Sequence, residues 1–469
     1  MIQDLKPYPA YKDSGVPWLG EVPQHWETLR TRYLFREIDD RSELGEETHL
    51  SMSQKLGLVP SSMVEQRPLV SQSYAGGKLC NRDDLVLNRL KAHLGVFAVA
   101  RESGVISPDY TVFRKNHPMA VQYFEHVLRS PAVRVELRVR AKGLVEGFWR
   151  LYTDDFYGIR LPVPPVHEQA AIVRLIDYAD RRIRRYIGAK KKLIALLNEQ
   201  KQAIIHRAVT RGLDPNVRLK PSGVEWLGDV PEHWDVVPLR RRWTVTDCKH
   251  LTVPFVADGV PLASVREVQS FDLTLTKSKR TTMAWYATLI EGGRNPRRGD
   301  LIYCRNVSVG AAAFVNTDEQ FAMGQDVCLI RSVEQNQRYL NYFLRSSLMD
   351  HQLARLLVGS TFKRINISEI NGLIIVVPPR SEQDTIADHL DRTFEGTNCV
   401  IKTACQEIDL LREYRTRLIA DVVTGKLDVR EAAARLPDET NESEPLDAAE
   451  DFADDDDADL DNAAEEADA

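Results

Sequence analysis

At 469 residues the chain exceeds what one hydrophobic core usually serves, so two or more domains are expected. It shows no secretory leader and no run of eighteen apolar residues, which argues against a helical membrane protein and for a cytoplasmic one. The formal charge of −6 hides an asymmetry: residues 437–469 hold 16 acidic and no basic residues, leaving 62 Lys/Arg against 52 Asp/Glu in residues 1–436. A basic body suits a polyanion or is simply a solvated surface. The acidic tail has too little apolar area to fold, and it either discourages non-specific DNA contact or aids solubility. The six cysteines form no Cys-x-x-Cys and join no His cluster, so buried, reduced thiols are expected rather than a metal site.

In chain order, the first expected domain covers residues 1–163. It opens on SGVPWLGEVPQHW (residues 14–26), which recurs as SGVEWLGDVPEHW (222–234) with ten of thirteen positions identical. Nothing in this segment is catalytic, and its Trp pairs, Trp18/Trp26 and Trp226/Trp234, read as packing under a domain. About 135 residues of mixed strand and helix signals follow. Residues 164–212 begin after a Pro pair that cannot propagate a helix and then carry apolar or tolerable residues at spacings of four and three: Ile172, Ile176, Ala179, Ile183, Tyr186, Lys190, Leu193, Leu197, Gln200 and Ile204. Such a helix is about 66 Å long, more than a compact domain buries, so it needs a partner.

The partner lies in the second half of the repeat. Residues 213–377 form a second α/β domain, in which Asp300, Arg305 and Gly310 answer Asp84, Arg89 and Gly95, strand-like residues 327–331 answer 111–115, and YFLRS (342–346) answers YFEHVLRS (123–130). Residues 378–428 repeat Pro-Pro-x-x-Glu-Gln and a seam at Ile386, Leu390, Thr397, Ile401, Ile408, Leu411, Leu418 and Val422. Residues 167–210 carry ten Lys/Arg against four Asp/Glu, and residues 381–424 five against nine, which favours pairing the two helices. The 14 residues between Arg211 and Trp226 reach at most about 49 Å, less than the rod, so the helices should pair antiparallel. The expected fold is two α/β (α+β) recognition domains separated by a long antiparallel two-helix coiled coil, an internal tandem repeat with pseudo-two-fold symmetry.

These paired Trp segments and paired PPxxEQ helices, with dissimilar domains between them, resemble the DNA specificity subunit of type I restriction-modification enzymes. The resemblance covers residues 14 to about 430 and leaves the acidic tail outside. It implies that each variable domain is a target-recognition domain for one half of a bipartite, asymmetric site in double-stranded DNA. It implies that the helices space the halves and dock two modification subunits, which bring S-adenosylmethionine, while two restriction subunits bring ATP, Mg2+ and cleavage. This chain would then be non-catalytic, with no cofactor or metal of its own. The residues agree in lacking a Gly-x-x-x-x-Gly-Lys-Ser/Thr loop and an Asn/Asp-Pro-Pro-Tyr/Phe motif, and Glu199-Gln200-Lys201, with its nuclease-like spacing, falls on the rod. A stand-alone DNA-binding regulator, or a coiled-coil adaptor without restriction partners, is the alternative; a cryptic nuclease or methyltransferase lacks a constellation.

Base readout needs donors and acceptors on loops or strands, backed by Lys/Arg on phosphates. The candidates are Asn88, Arg89, Lys91 and His93 in the first domain, with Arg305, Asn306 and Ser308 at the matching place in the second. Phosphate contacts are expected from Lys142 and Arg150, near Trp149, and from Ser360, Thr361, Lys363 and Arg364. Against this, Arg89 and Arg305 have a purely internal alternative, pairing with Asp84 and Asp300. The basic run from Arg181 to Lys192 faces DNA, an acidic partner or only water.

Overall fold

The computed structural model describes residues 5–53, 56–64, 74–143, 149–356 and 364–437. They form two compact units, one of residues up to Lys192 together with those from Ala404 onward, the other of Leu193–Thr403. Each unit therefore contains part of both long helices, a division that the five consecutive segments expected from sequence do not express.

In the first unit, the repeated Trp segment forms a small antiparallel pair, Tyr11–Asp13 with Glu21–Pro23. Glu27–Arg30 pairs with Arg160–Val163, the strand that leads into the first long helix. The main sheet is antiparallel, in the order Phe35–Ile38, Tyr110–Lys115, Leu85–Asn88, Phe97–Val99. Helices Val121–Arg129 and Pro131–Arg140 bury Tyr123, Phe124, Val127, Leu128, Val133 and Leu137 in the core that also holds Leu85, Leu87 and Phe97.

The second unit has the same order of elements. Leu219–Pro221 pairs with Asp229–Pro231, Asp235–Pro238 pairs with Ile374–Val377, and a four-stranded sheet runs Thr244–Asp247, Val327–Arg331, Leu301–Cys304, Ala312–Phe314. Helices Gln337–Leu344 and Ser347–Leu356 follow. Hydrogen bonding corrects one part of the sequence match. Tyr123 donates to the carbonyls of Pro162 and Val423 (3.2 and 3.0 Å), and its structural counterpart is Tyr339, which donates to Val376 and Val209 (2.9 and 3.5 Å). The Arg-Ser ends of the two segments correspond as expected, with Ser130 and Ser346 each donating to a carbonyl three residues back at 2.6 Å, but the Tyr-Phe pairs are three residues out of step.

The long helices run Val166–Arg211 and Arg380–Val423. Within each unit the two are antiparallel: Asp180 meets Arg415 and Lys190 meets Glu407 (2.5 Å) in the first, and Lys201 meets Asn398 (2.6 Å) in the second. Ile172, Ile176, Ala179 and Ile183 are buried as the spacing predicts, but the next buried residue is Ile187, and Tyr186 is 47% exposed. A straight α-helix with 3.6 residues per turn drifts off a strict alternation of four and three, so a step of four replaces the expected three. Phe394, absent from the predicted seam, is buried, while Thr397 and Ile401 are only half-buried. Two of the six cysteines, Cys399 and Cys405, also depart from expectation and are exposed on the second helix. Among the described residues no helix is long and apolar enough to cross a membrane.

The repeated motifs meet at the helix junctions. Pro164 and Pro165 cannot donate amide protons, and their carbonyls cap the helix start: Glu168 and Gln169 bond back to the Pro165 carbonyl (2.8 and 3.0 Å), and Gln169 Nε2 donates to Pro164 (2.9 Å). The Glu168 carboxylate then accepts from Trp26 Nε1 and His25 Nε2, both at 2.7 Å. In the second unit Glu382 accepts from Trp234 Nε1 (2.6 Å) and His233 Nε2 (2.7 Å). Each Trp also packs on the end of the other helix. A Cβ on Gly425 (φ +79°) would lie 3.0 Å from Trp26, and one on Gly212 (φ +72°) 3.1 Å from Trp234. The left-handed turn and the close indole both require glycine there.

Candidate nucleic-acid interface

The two loops singled out in each unit lie side by side. In the first unit the turn after Leu85–Asn88 is built by Asn88, whose Oδ1 accepts from the amides of Leu90 (3.1 Å) and Lys91 (3.3 Å). The Arg89 carbonyl accepts from the Leu151 amide at 3.0 Å, which draws in the second loop, where Lys142 and Arg150 exchange backbone hydrogen bonds of 2.9 and 2.8 Å. Lys142 and Arg150 are exposed, and Lys142 Nζ reaches Asp155 at 2.7 Å. Lys91 is exposed, while the side chain of His93 lies outside what the structure describes.

In the second unit the Arg305 carbonyl accepts from the Ile365 amide at 2.9 Å, and Asn306 forms a backbone bridge with Arg364. The turn is tight: Asn306 Oδ1 accepts from the Val307 amide (3.0 Å) and the Asn306 carbonyl from Ser308 (2.7 Å). Val307 is held at φ +61° and is 70% exposed. A β-branched residue in the left-handed region is strained by roughly 1–2 kcal/mol, so the surrounding bonds fix this tip. Nothing in the sequence flagged Val307. Ser360, Thr361 and Lys363 lie outside the described residues; Arg364 is exposed beside Asn306.

Neither arginine makes the predicted internal pair. Asp84 instead takes a bidentate bond from Arg114 (2.9 and 2.8 Å), and Asp300 from Arg331 (2.8 and 2.5 Å). The registers explain this, because Phe113 faces Leu85 and Ile330 faces Leu301, which sets each Arg opposite its Asp. Arg89 turns to Thr111 (2.6 Å) and Glu37 (3.3 Å) and keeps part of its guanidinium in solvent. Arg305 is only 4% exposed and is bound to Asp247 at 2.5 Å, so it anchors the turn from below and does not offer its guanidinium to a ligand.

Residues 276–410 match the family described as the type I restriction modification DNA specificity domain. The chain is 21% identical over 365 residues to the type I restriction enzyme MjaVIII specificity subunit of Methanocaldococcus jannaschii, which covers 75% of this chain and 81% of the relative. The putative MjaX specificity subunit of the same organism is also 21% identical, over 58% of this chain and 60% of the relative. Residues 276–410 thus carry a type I restriction-modification DNA specificity domain, and the chain resembles the specificity subunits of those systems. A solved chain described as "Structural basis underlying complex assembly and conformational transition of the type I R-M system" shares its fold, with a TM-score of 0.61 at 15% identity over 87% of this chain and 99% of that one.

One group of possible metal ligands occurs among the described residues: Asp247, Cys248 and His250. Its donors are already engaged. Asp247 binds Arg305 through Oδ1 and His250 through Oδ2 (3.0 Å), and His250 Nδ1 lies 3.5 Å from the Cys248 sulfur. Burial pushes the Cys248 thiol up, away from the thiolate that a soft cation needs, and the Arg305 guanidinium occupies the cation's side of Asp247. The group fits a support for the 305–310 turn, not a metal centre.

Proposed function

We propose that this specificity subunit reads a bipartite, asymmetric site in double-stranded DNA, one half by each unit, and that it does so without chemistry of its own. The observation that carries this reading is the shared backbone bond from Leu151 to Arg89 and from Ile365 to Arg305, which joins a turn rich in Asn, Ser and Lys to a basic strand end in both units. Asn88, Lys91, Asn306 and Ser308 supply groove-facing donors and acceptors, with the exposed Val307 methyls suited to a thymine methyl. Lys142, Arg150 and Arg364 supply phosphate contacts, as do Ser360, Thr361 and Lys363; His93 and Arg89 complete the first patch.

In this reading the long helices pair as an antiparallel coiled coil under a pseudo-two-fold relation, set the distance between the half-sites, and dock two modification subunits. S-adenosylmethionine then belongs to those subunits, and ATP and Mg2+ to two restriction subunits, in a cytoplasmic complex. The test separates spacing from reading. Four residues inserted after Gln200, with four more after Asn398, which lies beside the facing residue Lys201, add about 6 Å and about one turn. With the modification partner present, methylation mapping should find both half-sites unchanged and the spacer longer by about two base pairs. Replacing residues 30–160 with another member's first domain should change one half-site only. A swap that alters both half-sites, or an insertion that alters base identity at fixed spacing, overturns the reading.

A further inference from the structure

The described chain ends against the first long helix. Arg174 donates through Nη2 to the carbonyls of Leu436 (3.0 Å) and Pro437 (3.1 Å), so the 32 residues of 438–469, 16 of them acidic and none basic, start from that helix. In the same unit the helix presents Arg181, Arg182, Arg184, Arg185 and Lys192 as exposed residues, with Lys190 and Lys191 half-exposed.

The charge is local. In the first unit the two long helices together hold eleven Lys/Arg against seven Asp/Glu, whereas in the second they hold six against six. The excess of cations therefore lies in the unit from which the acidic segment departs.

We infer that residues 438–469 dock on the basic face of the first long helix, along residues 174–192, and compete there with other polyanions. Reach permits it: that stretch is about 27 Å long, and a flexible chain of this length has ends about 30 Å apart. The tether makes the encounter intramolecular, at an effective concentration in the millimolar range. Individual exposed ion pairs are weak, so the contact depends on many at once and is lost as salt shortens the Debye length below about 8 Å. Arg184 and Lys190 already pair with Asp180 (2.6 Å) and Glu407 (2.5 Å), and tail carboxylates share these cations rather than displace their partners. That the competing polyanion is DNA rests on the function proposed above; the docking itself does not.

The test compares the full chain with a variant ending at Pro437 and with one whose 16 tail carboxylates are changed to Asn or Gln. Labelling of Lys190, Lys191 and Lys192 by an amine-reactive reagent at about 50 mM salt should rise several-fold in both variants, and the difference should vanish near 0.5 M salt. Equal labelling in all three proteins overturns the proposal. A second variant, Arg181→Glu with Arg182→Glu and Arg185→Glu, should expose the tail to a glutamate-specific protease several-fold faster, with retained circular dichroism showing that it folds; an unchanged cleavage rate also overturns it. Non-specific duplex affinity at about 50 mM salt should rise about tenfold on tail neutralisation. If labelling responds and duplex affinity does not, the docking stands and the DNA reading of that face fails.

Discussion

Replacing Glu168 and Glu382 by Ala removes the same motif residue from the two helix starts, yet the structure assigns the two changes different costs. Glu168 is 1% exposed and accepts from His25, Trp26 and the Tyr8 hydroxyl (2.7, 2.7 and 3.3 Å), with Arg430 Nη1 at 3.5 Å. Its loss strands a fully buried indole N–H, a buried phenol and a guanidinium, a penalty of about 3–5 kcal/mol. Glu382 is 42% exposed and His233 is 46% exposed; Trp234 is as buried as Trp26, but water can enter where the open carboxylate stood and accept its indole N–H, so the loss should cost about 1–1.5 kcal/mol. Because two units need not unfold together, the measurement must be local. Hydrogen exchange of peptides spanning 166–180 and 380–394 supplies it. Glu168→Ala should speed exchange in the first peptide by about two orders of magnitude or more, and Glu382→Ala in the second by about tenfold. Equal acceleration, or none at 166–180, would refute the claim that the buried carboxylate locks the first helix to its domain.

Three further outcomes are expected. Burial, with help from Arg129 and Arg415 and against Asp180, pushes the His126 imidazole down to about 4. Between about pH 6.5 and 4 the unfolded chain therefore binds a proton that the folded chain refuses, stability falls as pH falls through that window, and His126→Gln should remove up to about 3 kcal/mol of the loss in urea titrations at pH 4.5 and 7.5. Under native conditions a thiol reagent should titrate Cys399 and Cys405 promptly, and Cys80, which burial pushes up to about 11, and the other three buried thiols only on unfolding. Arg305→Ala should destabilise the second unit by about 1–3 kcal/mol, because Asp247 loses its buried partner but keeps His250 and 30% exposure, while Lys91→Ala and Arg364→Ala leave stability within about 0.5 kcal/mol and each lower the salt slope of DNA binding by about one.

What the sequence made legible divides along physical lines. The helices and their partnership were readable because Pro-Pro stops, a long apolar seam and opposite charge are each local or periodic signals. The step from Ile183 to Ile187 was not, since one residue of phase drift leaves the apolar count unchanged and only packing decides which side turns inward. The bidentate pairs Asp84–Arg114 and Asp300–Arg331 were hidden for another reason: they depend on register between strands about 30 residues apart, and no periodicity encodes that. The candidate turns were found by their matching punctuation, yet Arg89 and Arg305, alike in sequence position, differ in exposure. One meets Glu37 from the edge strand, two places away in the sheet, at a half-open site, and the other meets Asp247 beneath a closed turn.

The clamp and the turns also explain why the repeat is uneven. His25, Trp26 and Glu168 do one mechanical task, fixing a helix start against a domain, and His233, Trp234 and Glu382 do it again; the same task at two junctions keeps the same residues. On the proposed function, two units that read different halves of an asymmetric site have the opposite requirement, because identical turns would read identical bases. Asn88-Arg89-Leu90-Lys91 and Arg305-Asn306-Val307-Ser308 accordingly share a place in the sheet and a backbone bond but no side-chain pattern. Internal repetition in this chain thus reports structure, and on the proposed function its interruption between residues 27–160 and 235–373 marks where the reading differs.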